Sequence, residues 1–250
     1  MNPAMFFRSQ IAATFVSALA LVVSLTAQPV GPLNGRIENN QYISPTGAFT
    51  ITIPVIAVLG GSVTDTENVA IFQDRLNTHQ SIACFKQDAT QLHEEEARGR
   101  KEYLIWFLAN FVQADFEQRF PGARVESAHF LPDIQGGALL AYNLLPGGSM
   151  FANRILAVKR GQPPIAKRGN LLFVNNGHIY VLSIELAEKV IEGSAYTLTT
   201  DEEDAQLHKR LTDFLSKITF TAASAITAKP AVPAPADKPA VTAATDKPAD

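Results

Sequence analysis

Apolar and polar positions along the chain change period several times, and each change marks an element. Phe49-Thr50-Ile51-Thr52-Ile53 alternates until Pro54 stops it, the pattern of a half-buried strand, and the turn-rich Tyr42-Ile43-Ser44-Pro45-Thr46-Gly47 lies ahead of it. Residues 68–74 and 81–87 predict two more short strands. From Asp88 the pattern predicts one long helix: Asp88 and Gln91 make a capping-box start, and Glu94, Glu95 and Glu96 suit the positive end of a helix dipole. The helix runs to Phe120, where Pro121-Gly122 ends it, and Gly99 weakens it by about 1 kcal/mol relative to Ala. Residues 103–112 (YLIWFLANFV) are apolar almost all the way round. Such a helix is either covered on more than one side or shows an apolar face to a partner.

Strands are predicted next at 123–131, 138–145 and 153–159. Residues 170–174 and 178–186 flank Asn175-Asn176-Gly177, a strong type I′ hairpin signal because Asn and Gly accept positive φ. Ile179, Val181 and Ser183 alternate with Tyr180, Leu182 and Ile184, leaving little polar on either face; that strand should be central and covered on both sides. A last helix opens with Thr200-Asp201-Glu202-Glu203, which reads as a capping box, and carries the stripe Leu207, Leu211, Phe214, Leu215 and Ile218. The order predicts an α+β fold: a mostly antiparallel sheet with one long central helix and a C-terminal helix packed on it.

The run Tyr42…Pro45-Thr46-Gly47-Ala48-Phe49…Ile53-Pro54, the helix after three short strands, and the ending Phe214-Leu215…Ile218-Thr219-Phe220 together resemble the PsbP/Mog1-like sandwich over roughly residues 40–220. The likeness is one of pattern and order. It implies a fold of small exported bacterial proteins and a non-enzymatic binding or assembly role, with no catalytic set to transfer.

The two ends of the chain differ from its middle. Arg8, the apolar run 11–25, then Thr26-Ala27 and Gln28 follow the layout of a secretory signal peptide cut after Ala27. The rival reading is an uncut membrane anchor over residues 11–27, although the apolar run is short for a span and Gln28-Pro29 interrupts it. The predicted location is periplasmic or secreted, with membrane contact only if the leader stays. No Cys lies near the cut, so a bacterial lipid anchor has no support. At the other end Lys-Pro-Ala recurs at Lys229, Lys238 and Lys247, and Ala, Pro and balanced charge predict a disordered, semi-stiff spacer over residues 222–250. Residues 28–221 remain as a single globular domain. The 250-residue chain has a net charge of −3, which leaves no footprint for nucleic acid. A single cysteine excludes an internal disulfide and every multi-cysteine metal site.

No motif supplies a catalytic constellation. Cys84 lies in a strand pattern and reads as an inert core thiol; as a nucleophile it would need a base such as His79 or His93 beside it. His93-Glu94-Glu95-Glu96 has Ala97 where a zinc-protease helix needs its second His. His129, His178 and His208 are dispersed without ligand spacing. Ser149 lacks the second glycine of a nucleophile elbow, and Gly161…Lys167 lacks the Gly before and the Ser/Thr after the lysine of a phosphate loop. Lys159, Arg160, Lys167 and Arg168 bracket a Pro-rich segment, read as a solvated loop or as one that contacts an anion. Tyr103, Trp106, Phe107 and Phe111 are the best candidates for an interaction surface, with core packing as the plainer reading. The sequence therefore predicts a non-enzymatic envelope binding or assembly module with no cofactor or metal. The alternatives are a hydrolase with dispersed catalytic residues or a small-ligand carrier with its pocket between the sheet and residues 103–111.

Overall fold

A computed structural model of the chain describes residues 28–29, 31–151 and 164–222. The leader, the strand predicted at 153–159 and the tail beyond 222 lie outside these residues. The fold is α+β, with two sheets. The large one holds eight strands: β1 (Gln28–Pro29), β5 (Ser62–Asp65), β6 (Val69–Gln73), β7 (His79–Lys86), β11 (His178–Glu185), β10 (Ile165–Asn175), β9 (Ala138–Pro146) and β8 (Arg124–Leu131), in that spatial order. All its pairings are antiparallel except that of β1 with β5. The small sheet runs β12 (Ile218–Phe220), β4 (Phe49–Thr52), β3 (Gln41–Ile43), β2 (Arg36–Glu38), also antiparallel.

Local chemistry accounts for the strands. In β4 Phe49 and Ile51 are buried while Thr52 faces solvent, as the alternation requires. β10 and β11 meet at Asn175↔His178, with Asn176 at φ 48° and Gly177 at φ 71°, the geometry of the two-residue turn. Strands β9, β10 and β11 sit in the interior of the large sheet and are buried along nearly their whole length, so the hydrophobic alternation that marks a one-sided strand is missing there.

One face of the large sheet packs on the small sheet and on α5 (Thr200–Leu215). That core includes Tyr42, Phe49, Phe72, Phe173, Tyr180 and Phe214. Leu207, Leu211 and Phe214 form the buried stripe of α5, but Ile218 belongs to β12 rather than to the helix. The cap of α5 is one residue earlier than the sequence pattern suggests: Thr199 and Glu202 form the reciprocal box, which frees Glu203 to turn inward.

The other face is covered by helices, and here the expectation of one long helix is corrected. The segment divides into α1 (Ala89–Arg98), α2 (Arg100–Phe107), a π-helical stretch Leu108–Gln113 and α3 (Ala114–Arg119). Gly99 causes the first break: at φ 78°, ψ 160° it leaves helical space altogether. The Asp88–Gln91 capping box is present, yet α1 buries none of its residues. Tyr103, Leu104, Phe107 and Leu108 pack instead on Leu139, Leu172, Ile179 and Val181 of β9, β10 and β11.

Candidate functional site

The helices cover only part of their face of the large sheet. Towards β6 and β7 the same face carries Val69, Ile71, Ala83 and Phe85, all half-buried. Between this floor and the flank of α2–α3 lies an open groove of about 670 Å³. Its wall is Phe107, Phe111, Val112 and Phe116, so the middle of the groove is apolar on both sides. A volume of this order is typical of small-molecule sites.

Both ends of the groove are polar: Lys86, Asp88 and Gln91 border one, and His79, Ser81, Ser183, Asp115, Arg119 and Arg168 border the other. Arg168 comes from β10 and is only 5% exposed. Its Nη2 donates to Gly148 O at 3.2 Å and lies 3.5 Å from Glu185 Oε2, and the guanidinium sits over the Phe116 ring at 5.2 Å. Burial pushes the Arg168 pKa down, opposed by the Glu185 carboxylate. Glu185 also accepts from Ser149 Oγ at 2.6 Å and from the Met150 amide at 2.9 Å, which ties the Gly147–Met150 turn to the sheet. Arg168 Nε and His79 Nδ1 are buried without a hydrogen-bond partner among the described residues. Burial, reinforced by the positive charge of Arg168, holds the His79 pKa down at about 4, so its imidazole is neutral near pH 7. A row of buried amides leads to the same place. Ser183 Oγ donates to Asn170 Oδ1 at 2.6 Å, Asn170 Nδ2 to Asn143 Oδ1 at 2.9 Å, and Asn143 Nδ2 to Gln113 Oε1 at 2.7 Å.

The structure distributes the sequence candidates unevenly. Among the aromatics, Tyr103 is fully buried and accepts from Gln87 Nε2 at 3.4 Å, so it is core. Phe107 and Phe111 line the groove, stacked at 4.7 Å, and Phe111 is 45% exposed. Trp106 flanks them, edge-on to Phe111 at 5.4 Å with Arg98 above its ring at 5.7 Å.

Lys167 and Arg168 are not on a loop, which corrects the reading of them as loop cations. They are consecutive residues of β10 and therefore point to opposite faces of the sheet, both buried. Lys167 Nζ lies 2.5 Å from Glu126 Oε2, 2.5 Å from Asp204 Oδ1 and 3.0 Å from Glu203 Oε2, so its charge is already matched by protein carboxylates. Burial works against the charged lysine, but these three carboxylates prevail and raise its pKa. Lys159 and Arg160 lie outside the described residues.

Cys84 faces the core on the side away from the groove, and burial pushes its thiol up to about 11. Ser149 serves Glu185. Glu94 and Glu95 pair with Arg98 and Arg100. Among the described residues no group of three His, Cys, Asp or Glu side chains is placed to hold a metal ion, and no helix is long and apolar enough to cross a membrane. His79, Arg168 and Glu185 are the site residues that sequence reasoning missed as a set. The available signal was a charged pair, Lys167-Arg168, running directly into the strand Gly169-Asn170-Leu171-Leu172 without a turn residue before Gly169.

No protein-family model matches the sequence, and no curated protein sequence matches it. Solved structures with a similar fold include CyanoP, the cyanobacterial PsbP of Synechocystis (11% identity, 77% of this chain and 99% of that one, TM-score 0.42). They also include the Ran-binding protein Mog1p of Saccharomyces cerevisiae (10% identity, 76% of this chain and 98% of that one, TM-score 0.41). A protein of Bacteroides thetaiotaomicron shares 9% identity over 75% of this chain with a TM-score of 0.40, and the chain spans half of that protein's length. Two of these are of the PsbP/Mog1-like kind that the sequence pattern resembles, and the likeness is one of fold alone.

Proposed function

We propose that this chain is an exported, non-enzymatic binding or assembly module of the cell envelope that works through the groove between α2–α3 and β6–β7. The observation that carries the reading is the groove itself: an apolar trough whose floor and wall stay half-open although the rest of the sheet face is packed. The leader pattern of residues 1–27 supports export. The placement of the nucleophile candidates favours binding over hydrolysis, since Cys84 faces away from the groove and Ser149 donates to Glu185. The groove's volume gives the small-ligand version of this reading its footing beside the protein-partner version.

Native mass spectrometry of the chain isolated from the envelope of its own cells tests the proposal. A co-purifying ligand or protein is expected, displaced by Ala83→Trp, which fills the groove floor, on a chain that begins at Gln28. Turnover of a substrate that a single side-chain change abolishes, or a cytosolic chain that keeps residues 1–27, would overturn it.

A further inference from the structure

The His79 end of the groove narrows the class of ligand. Resting on the binding reading above, we infer that the groove takes a single-chain amphiphile with an acidic head, a fatty acid in its simplest form. Its chain lies between Val69, Ala83, Phe85 and Phe107, Phe111, Val112, and its carboxylate meets His79 and Arg168.

Three observations carry this. The first is the layout: an apolar middle lies between one polar end at His79, Ser183 and Arg168 and a second, more exposed one at Lys86, Asp88 and Gln91, and it suits a molecule that is apolar along its length and polar at its tip. The second is the pair of buried polar atoms without partners, Arg168 Nε and His79 Nδ1. A buried donor left unmatched is costly, and an arriving acceptor removes that cost. Arg168 Nη2 is engaged by Glu185 and Gly148 O, but Nε–H is a donor with no described acceptor, and an oxygen of a carboxylate is its natural complement.

The third is charge. At the His79 end Arg119 and Arg168 border the groove against Asp115, and Glu185 lies behind Arg168 rather than on the groove surface. Arg119 is held by Asp115 at 2.8 Å, which leaves Arg168 as the cation that acts on His79. The positive field that disfavours protonation of His79 favours an anion beside it, and a cationic head group meets the opposite.

The test is calorimetric titration of the chain, in the form its cells keep, with dodecanoate, dodecanol and dodecylamine below their micellar concentrations. Dodecanoate is expected to bind at one equivalent and at least about tenfold more tightly than dodecanol, with dodecylamine weakest. His79→Phe should remove the preference for the acid while leaving the alcohol bound, and Ala83→Trp should weaken both. Should His79→Phe fail to fold, imidazole NMR on the unchanged chain near pH 7 decides between the outcomes: dodecanoate must shift the His79 ring signals, and dodecanol must shift them less. Equal affinity for acid and alcohol, both lost in Ala83→Trp, would overturn the head-group assignment and leave the binding groove standing. No binding of any of the three, with a co-purified protein that Ala83→Trp releases, would replace the amphiphile by a protein partner. No binding and nothing co-purified would end both readings.

Discussion

Lys167 is the residue whose role differs most from its appearance in the sequence. It is fully buried among Glu126, Glu203 and Asp204, over the Tyr142 ring at 5.4 Å. Glu203 is buried too, and is held in addition by Lys189 and by Tyr196 Oη at 2.9 Å. Removing one partner of such a cluster leaves charge buried without a match, at a cost of about 3–5 kcal/mol. Lys167→Met should lose that much in denaturant unfolding. Lys167→Met with Glu203→Gln should lose less than the two single changes added, because the groups are in direct contact. The cluster also sets an acid limit. Burial raises the Glu203 pKa, but hydrogen bonds from Lys189, Lys167 and Tyr196 outweigh it and leave the value below its ordinary 4.5. The stabilisation is therefore complete above about pH 4.5 and is lost as pH falls through the lower folded value. His79 acts in a higher window. Its folded pKa of about 4 lies below its ordinary 6.5, so the unfolded chain takes up a proton first and stability declines as pH drops from 6.5 to 4. Thermal melts of His79→Phe across that range should show a shallower decline than the unchanged chain, whereas Glu203→Gln should flatten only the part below it.

At the level of elements, the parts of the fold governed by nearest neighbours are legible in the sequence. The Asn176-Gly177 turn, the Asp88–Gln91 cap, the alternation of β4 and the stripe Leu207, Leu211, Phe214 each depend on a few adjacent residues, and each is found where the pattern puts it. Elements whose form depends on what covers them are not. β10 reads as a strand only from residue 170, because Lys167 and Arg168 look like loop residues until Glu203 and Glu185 are brought against them from distant parts of the chain. The long helix fails for a different reason. Gly99 carries a conformational freedom that the helical period conceals, and an unburied α1 gains nothing from continuing in line with α2. The Cβ of an alanine at 99 would touch nothing within 4 Å, so a substitution there isolates the backbone term. Gly99→Ala should cost about 1–3 kcal/mol through strain at φ 78°, ψ 160°, measured as a shift in the denaturant midpoint. An unchanged midpoint would mean that the α1–α2 junction straightens without penalty.

The whole molecule shows why the groove escapes a linear reading. The large sheet is eight strands wide, and its helical layer is a single interrupted segment that covers β9, β10 and β11. The small sheet and α5 bury the opposite face, so the molecule has one well-covered side and one half-covered side. Val69, Ile71, Ala83 and Phe85 read in the sequence as ordinary strand positions, and only the three-dimensional width of the helical layer leaves them open. This asymmetry sets apart two apolar positions on the same sheet face. Ile71 lies on the groove floor and is half-buried, while Leu172 lies under α2 and is fully buried. A carboxylate at 71 keeps access to water, and Ile71→Asp should cost no more than about 1 kcal/mol. A carboxylate at 172 has no such access and no cation beside it in that cluster, so Leu172→Asp should prevent stable folding. Paired unfolding curves for the two variants measure the difference. Comparable losses at both sites would mean that the β6–β7 half of the face is covered in solution after all. With the groove open and working, Ile71→Asp should instead stay folded and lose dodecanoate binding, because Ile71 lies on the groove floor.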